Sequence, residues 1–231
     1  MSENLEPLNI LVFLGSVRTS TPPRPARLGE RVSLFCRDLL MAAGHNVMLI
    51  DPLVDMPHPA PAEFKPHFAY ANGKAPPKLD ALADKIRSAD GYVMVSPEYN
   101  HSMSPALAGM LNHFGSSLYS WKPSAIVTYS AGQWGGARAG VNMRTYLSEL
   151  GCLPVSAMVH VPKAQGVFTE SGKLSGAQNS ASWKSYCSRA MDQLAWWANA
   201  SRSYRENNDP EQVVPAFVSD PSQRDAGNDS A

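Results

Sequence analysis

The sequence contains little that marks a secreted, membrane-spanning or nucleic-acid-binding protein. Only three of its 231 residues are cysteines, and this odd, widely spaced set does not resemble a disulfide framework. Lys+Arg and Asp+Glu are both 20, so the formal net charge is zero, whereas general nucleic-acid and membrane-surface binders are usually basic. No apolar run approaches the ~20 residues of a membrane span, and the first ten residues lack a signal-peptide pattern. We therefore expect a cytoplasmic protein that binds neither nucleic acid nor membrane.

What the chain does contain is an alternation of short apolar runs and amphipathic stretches. Hydrophobic residues make up 44% of the chain, which is enough for a substantial core. The apolar runs predict five strands, at Asn9–Gly15, Asn46–Ile50, Gly91–Pro97, Ser124–Ser130 and Leu153–Val159. Between them, apolar residues recur at helical spacing, as in Val32, Phe35, Cys36, Leu39 and Leu40. This order predicts an α/β protein with one parallel sheet and helices on both of its faces.

Two segments stand apart from this alternation. Residues 51–77 are rich in proline, histidine and alanine without a clear period, and we predict a long loop there. From about Tyr204 onward the sequence is polar and charged, with little apolar surface to bury. The expected organisation is one domain over residues 1–203, followed by a disordered tail over residues 204–231.

In such a fold, ligands bind at the carboxyl ends of the strands, near a switch point in strand order. The loop after the first strand, within "LGSVRTSTPPRPARLGERV" (14–32), gathers arginine and hydroxyl groups just before a helix. The amino terminus of a helix favours anions, so Ser16, Arg18 and Ser20 predict a phosphate site. The alternative is a solvated turn that carries arginine. Neither G-x-x-x-x-G-K-[ST] nor G-x-G-x-x-G is present.

The loops after the third and fourth strands suit a planar ring. "SPEYNHSMSPAL" (96–107) places a stiff proline, a flat tyrosine and a polar asparagine at the end of a strand. "YSAGQWGGARAG" (129–140) is rich in glycine, which lets the main chain approach a ligand closely. The alternatives are an ordinary asparagine turn and a glycine-rich linker.

Together the three loops resemble those of the NADPH-dependent FMN reductases, a flavodoxin-like group that also includes quinone, azo-dye and chromate reductases. "GSVR" resembles the group's G-S-x-R phosphate loop, "SPEYN" its loop after the third strand, and "SAGQWGGARA" its glycine-rich loop. The resemblance covers roughly residues 9–198. It implies a flavodoxin-like, doubly wound, five-stranded parallel sheet.

The resemblance also implies a set of cofactor-binding residues. The FMN phosphate would be held by Ser16, Arg18, Ser20 and Arg27, although "TSTPPRPA" looks inserted and Arg24 could replace Arg27. The isoalloxazine ring would lie along Pro97, Glu98, Tyr99, Asn100 and His101. Its other edge would be closed by Ser130, Ala131, Gly132 and Gly135. No catalytic side chain and no metal site are expected.

The activity implied by the resemblance is that of an NAD(P)H-dependent FMN reductase or quinone reductase. Hydride would pass from NADPH or NADH via bound FMN to a quinone or similar small acceptor, by a ping-pong mechanism, in a homodimer or homotetramer. Two alternatives stay open. One is a flavodoxin-type electron carrier, against which the zero net charge argues, and the other is a non-catalytic FMN-binding regulatory or scaffold protein.

Overall fold

A five-stranded parallel sheet forms the centre of the computed structural model, which describes residues 6–19, 27–57, 63–176 and 180–213. The strands are β1 (Asn9–Leu14), β2 (Asn46–Ile50), β3 (Gly91–Pro97), β4 (Pro123–Tyr129) and β5 (Leu153–Val161). Their spatial order is β2-β1-β3-β4-β5, and every pairing is parallel. The predicted doubly wound, flavodoxin-like α/β fold is thereby confirmed.

The helices lie between the strands and cover both faces of the sheet. They are α1 (Leu28–Ala42), α2 (Pro52–Asp55), α3 (Pro77–Ser88), α4 (Pro105–Leu111), α5 (Ser116–Tyr119), α6 (Ala137–Glu149), α7 (Ala164–Val167), α8 (Ser180–Asn207) and α9 (Pro210–Val213). Alternate residues of a strand face opposite sides, so Ile10 and Val12 join a core with α1 and α8, while Leu11 and Phe13 join one with α3 and α4. In the described ranges, no helix is long and apolar enough to cross a membrane.

The predicted loop over residues 51–77 is wrong in part. It contains α2 and a 3₁₀ turn at His67–Ala69. The Asp51 carboxylate accepts from the Leu53 amide at 2.9 Å, and Pro52 occupies the first helical position. This capping pattern starts a helix too short to show a hydrophobic period.

The predicted start of the tail is also corrected. Helix α8 continues to Asn207 and α9 follows it, so the expected boundary at residue 203 falls inside a helix. The Arg205 guanidinium donates to the Trp121 carbonyl at 2.7 Å and lies 3.3 Å from the Asp90 carboxylate. These contacts are made by charged side chains, which the hydrophobic pattern of the sequence does not reveal. Residues 214–231 lie outside the described residues, and their disorder stays a prediction.

Replacing Arg205 with alanine is expected to lower the free energy of unfolding by about 2–3 kcal/mol, the scale of hydrogen bonds to charged groups. The side chain of Asp90 is only 9% exposed, and the change removes one of its two arginine partners, the other being Arg202. Urea unfolding measures the loss. Glu206→Ala is the control, because that carboxylate is 65% exposed and should change stability by less than about 0.5 kcal/mol. Equal effects of the two variants would contradict this role for Arg205.

Candidate functional site

The carboxyl ends of three adjacent strands meet at one edge of the sheet. Leu14 at the end of β1 pairs with Val95 of β3, and Pro97 at the end of β3 pairs with Tyr129 of β4. The loops that follow β1, β3 and β4 are therefore neighbours. We call them the first, second and third loops, at residues 15–19, 97–104 and 130–136 respectively.

The first loop begins with a glycine held tightly against β3. The Gly15 amide donates to the Val95 carbonyl at 2.8 Å, and the Ser104 hydroxyl donates to the Gly15 carbonyl at 2.7 Å. A Cβ at residue 15 would lie 2.4 Å from the Val95 carbonyl oxygen. Only glycine allows the backbone to approach β3 so closely.

Beyond Gly15, the first loop presents backbone donors and a cation. Ser16 is buried and Arg18 is half-buried. Within the described ranges, the amides of residues 16, 17 and 19 have no acceptor. Burial raises the pKa of Tyr129 in β4, and hydrogen bonding to Ser16 partly offsets this, so its phenol stays neutral beneath the loop. Unpaired amides beside an arginine can bind an anion.

Arg27 follows the first loop in the chain, and its guanidinium binds other groups of the protein. Its Nη2 lies 2.8 Å from the Asp51 carboxylate and donates to the Ser16 carbonyl at 3.3 Å. Its Nε is buried and has no hydrogen-bond partner among the residues that the structure describes. Asp51 therefore neutralises much of the charge of Arg27. Two of the candidate phosphate residues, Ser20 and Arg24, lie outside the described residues.

The second loop is a tight two-residue turn. The backbones of Tyr99 and Ser102 exchange hydrogen bonds of 2.9 Å, and Asn100 and His101 between them have φ of 49° and 64°. Positive φ at both central positions is the type I′ geometry, which asparagine tolerates better than most residues. The turn leaves Asn100 and His101 at an exposed tip, with Tyr99 47% exposed.

Glu98 joins the second loop to α6. One of its carboxylate oxygens accepts from the Ala139 amide at 3.3 Å, and the other lies 3.3 Å from the Arg138 guanidinium. A carboxylate is favoured at the amino end of a helix. Asn142 also donates to the His101 carbonyl. Glu98 therefore fixes the loop through contacts within the protein.

The third loop turns its carbonyl groups toward the protein. The Ser130 carbonyl accepts from the Ala164 amide at 3.0 Å, and the Gly132 carbonyl accepts from the Lys163 amide at 2.8 Å. In the part of the chain that the structure describes, the amides of residues 131–134 have no acceptor. The loop thus exposes a row of donors, and Trp134 beside them is 63% exposed.

A buried chain of hydrogen bonds supports the third loop from below. The Thr128 hydroxyl donates to the Gly135 carbonyl at 2.7 Å, and His160 Nδ1 lies 2.7 Å from the Thr128 hydroxyl oxygen. A hydroxyl has one proton, so His160 Nδ1 is the donor in that second bond. Burial lowers the pKa of His160, which favours its neutral form. The His160 ring packs on Gly140, where a Cβ would lie 2.7 Å from Cε1.

Three residues that support the site are not among those predicted from the sequence. Ser104 caps α4 by accepting from the Leu107 amide at 3.1 Å, and it joins the first loop to the second. Its position directly before Pro105 is a recognisable capping signal. Thr128 and His160 lie in strands, where no local motif distinguishes a supporting polar residue from an ordinary strand residue.

The histidines outside the three loops do not form a metal site in the described residues. His67 Nε2 lies 2.9 Å from the Asp80 carboxylate, and no third ligand joins them. In the described ranges, no group of three or more histidine, cysteine or acidic side chains is arranged to hold a metal ion. His58 lies outside these ranges.

Comparisons with known proteins agree with this architecture. A family described as NADPH-dependent FMN reductase matches residues 8–166. An NAD(P)H-dependent FMN reductase of Pseudomonas aeruginosa is 35% identical over 109 residues, which cover 46% of this chain and 58% of that protein. A quinone reductase of Escherichia coli is 30% identical over 148 residues, which cover 62% of this chain and 70% of that protein.

Among solved structures, the fold is similar to that of the flavoenzyme NAD(P)H:(acceptor) oxidoreductase FerB from Paracoccus denitrificans. The TM-score is 0.62 at 17% identity, covering 81% of this chain and 97% of FerB. The match spans less than two thirds of the Pseudomonas relative, so activity and substrates do not transfer from it directly. The family match does cover well over half of this chain. The chain belongs to the NADPH-dependent FMN reductase family.

Proposed function

We propose that the protein is an FMN-dependent NAD(P)H oxidoreductase that reduces a quinone or a similar small acceptor. The observation that carries this proposal is that two sets of backbone amides, which have no acceptor among the described residues, lie in the first and third loops on either side of the second loop and its exposed Tyr99. An anionic phosphate and the polar edge of a flat ring need these groups. The relatives named FMN reductase and quinone reductase support the same activity.

The first loop fits the phosphate of FMN. The amides of residues 16, 17 and 19, the Ser16 hydroxyl and the Arg18 guanidinium would hold its negative charge. We propose a lesser role for Arg27, because Asp51 already pairs with it at 2.8 Å. Ser20 remains a candidate from the sequence.

The second and third loops fit the ring of FMN. Pro97, Tyr99 and Asn100 would lie along the ring, with His101 at its margin, while Glu98 holds the turn in place. The amides between Ser130 and Gly135 would donate to the polar edge of the ring, with Ala131 and Gly132 supplying two of them. A Cβ at residue 132 would meet nothing within 4 Å, so the loop is open there.

When bound, FMN supplies the hydride chemistry that no amino-acid side chain can perform, and the protein positions the reactants and tunes the flavin. The outward amides of the third loop favour negative charge on the adjacent polar edge. We assign no side chain as a catalytic acid or base. Arg138 lies 5.3 Å from the Trp134 ring and 3.3 Å from the Glu98 carboxylate, so this ion pair adds little net charge to the exposed side of the site.

Replacing Thr128 with valine is expected to weaken FMN binding several-fold and to lower the free energy of unfolding by about 1–3 kcal/mol. The change leaves the Gly135 carbonyl and His160 Nδ1 without their shared partner. Fluorescence titration of the apoprotein with FMN measures the first effect, and urea unfolding measures the second. Thr128→Ser keeps the hydroxyl and should retain most of the FMN affinity and most of the stability. If Thr128→Val binds FMN like wild type, the support below the third loop does not matter for the ring.

Steady-state kinetics should show that NADPH and the quinone occupy one site in turn. The chain contains no G-x-G-x-x-G for a separate dinucleotide pocket, and the loops leave Tyr99 and Trp134 exposed on one side. Oxidation of NADPH should require FMN and give parallel double-reciprocal lines against quinone, with inhibition by either substrate in excess. Intersecting lines would require both substrates to be bound together, and would contradict a shared site.

We also propose that the protein assembles as a homodimer or homotetramer, as other members of its family suggest. Phe114 and Tyr119, which follow α4, do not supply that interface, because both are buried within the chain. Sedimentation velocity of the FMN-loaded protein tests the assembly. A single species with the mass of one chain at micromolar concentration would overturn it.

A further inference from the structure

An apolar groove lies at the opposite edge of the sheet from the three loops. It consists of a cavity of about 760 Å³ and a smaller one of about 120 Å³. Trp121 and Leu153 line both cavities, so the two form one continuous groove. Leu153 is the first residue of β5 and is 53% exposed.

One face of α8 forms the floor of this groove. Trp197 lines the larger cavity, and Ser201, Tyr204 and Asn208 line the smaller one. Trp197, Ser201 and Tyr204 are spaced by four and three residues, which places them in one stripe along α8, and Asn208 directly follows the end of the helix. Trp197 and Tyr204 are 47% and 63% exposed. An exposed apolar patch of this kind, with two large aromatic side chains beside a groove, is typical of a surface that another segment covers.

The described chain ends in this groove. Val213, the last residue of α9, lines the smaller cavity and is 56% exposed. The sequence continues as Val-Pro-Ala-Phe-Val over residues 214–218. The remaining residues, 219–231, contain no aromatic residue and no valine, leucine, isoleucine or methionine. The apolar segment is therefore confined to the five residues that directly follow the groove's end.

The distances allow this segment to reach the large cavity. Seven residues of helix separate Trp197 from Tyr204, a rise of roughly 10 Å at 1.5 Å per residue. Phe217 follows Val213 by four residues, which can span up to about 14 Å. The segment can therefore reach the larger cavity of its own chain without a longer linker after Val213, and a second copy of the chain is not required to supply it.

We propose that residues 214–218 bind in this groove of their own chain and cover Trp121, Leu153 and Trp197. Phe217 provides the largest apolar side chain and fits the larger cavity. In this proposal the contact needs only residues 214–218 and none of residues 219–231. This placement is independent of the proposed flavin chemistry at the other edge of the sheet.

Two truncations and one substitution test this assignment. Truncation after Val213 and the full-length variant Phe217→Asp should each lower Tm by about 4 °C or more, because they expose apolar surface. Truncation after Val218 is the matched control and should leave Tm within about 1 °C of wild type. Acrylamide should quench tryptophan fluorescence more strongly in the first two variants, and Trp197→Phe should reduce that difference. FMN affinity should stay unchanged in all of them.

Three results would overturn the assignment. Equal Tm values after truncation at Val213 and at Val218 would show that residues 214–218 make no stabilising contact. An unchanged Tm for Phe217→Asp would exclude that side chain from the groove. Dissociation of an oligomer on removing residues 214–218, measured by sedimentation velocity, would show that the groove binds the segment of a second copy instead.

Discussion

Replacing Gly15 with alanine is expected to lower the free energy of unfolding by about 3 kcal/mol or more, at the upper end for overpacking a closely packed site. The added Cβ would lie 2.4 Å from the Val95 carbonyl oxygen, a backbone atom held in the central strand. To relieve this contact, β1 and β3 would have to separate where the Gly15 amide bonds to Val95 at 2.8 Å. FMN affinity should fall as well, because the first loop begins at this residue.

Gly109→Ala is the matched control for this prediction. Gly109 lies within α4, and a Cβ there would meet nothing within 4 Å. Alanine favours a helix over glycine by roughly 0.5–1 kcal/mol, so this variant should be slightly more stable than wild type. Urea unfolding of both variants provides the comparison. If Gly15→Ala is as stable as Gly109→Ala, the close approach of the first loop to β3 is not a constraint on the sequence.

Replacing Arg18 with alanine is expected to weaken FMN binding by about 10- to 150-fold and to leave riboflavin binding nearly unchanged. This range corresponds to about 1.5–3 kcal/mol, the usual scale for a hydrogen bond to a charged group. Riboflavin has the same ring but no phosphate, so it separates contacts to the phosphate from contacts to the ring. Fluorescence titration of the apoprotein with each flavin is the measurement.

Arg37→Ala serves as the control for charge. Arg37 is a half-buried residue of α1 whose guanidinium pairs with neighbouring Asp38 at 2.8 Å. The Arg37→Ala variant should change the affinity for FMN and the affinity for riboflavin by no more than about twofold. If Arg18→Ala weakens FMN and riboflavin equally, Arg18 does not meet the phosphate, and the anion site must be reassigned within the first loop.

The fold could be predicted from the sequence because hydrophobic pattern determines it. Strands β2 and β3 begin and end where their apolar runs do, and both are bounded by residues that end strands. Helix α2 was missed because four residues are too few to show a period. The continuation of α8 past Ser203 was missed because Arg205 is held by charge, and composition alone favours disorder there.

The positions of the three loops in the fold could be predicted from the sequence, but their internal contacts could not. Three motifs located the loops, because glycine, proline and asparagine report backbone geometry directly. The pairing of Arg27 with Asp51 could not be predicted from the sequence, because the two residues are 24 positions apart and share no motif. The same holds for Glu98 and α6, whose contact spans 41 positions. Long-range pairing of polar side chains depends on the folded arrangement of the elements.

We propose that this chain holds FMN and passes hydride from NAD(P)H to it. The most direct test is to load the apoprotein with FMN, remove unbound flavin, and follow the visible flavin absorbance under anaerobic conditions after adding NADPH or NADH. If the protein is an oxidoreductase, its bound flavin should bleach within seconds and regain its visible absorbance when a quinone is added. A protein that retains FMN but is not bleached by either nucleotide would be an electron carrier or a flavin-binding scaffold, and a protein that retains no FMN would contradict the account altogether.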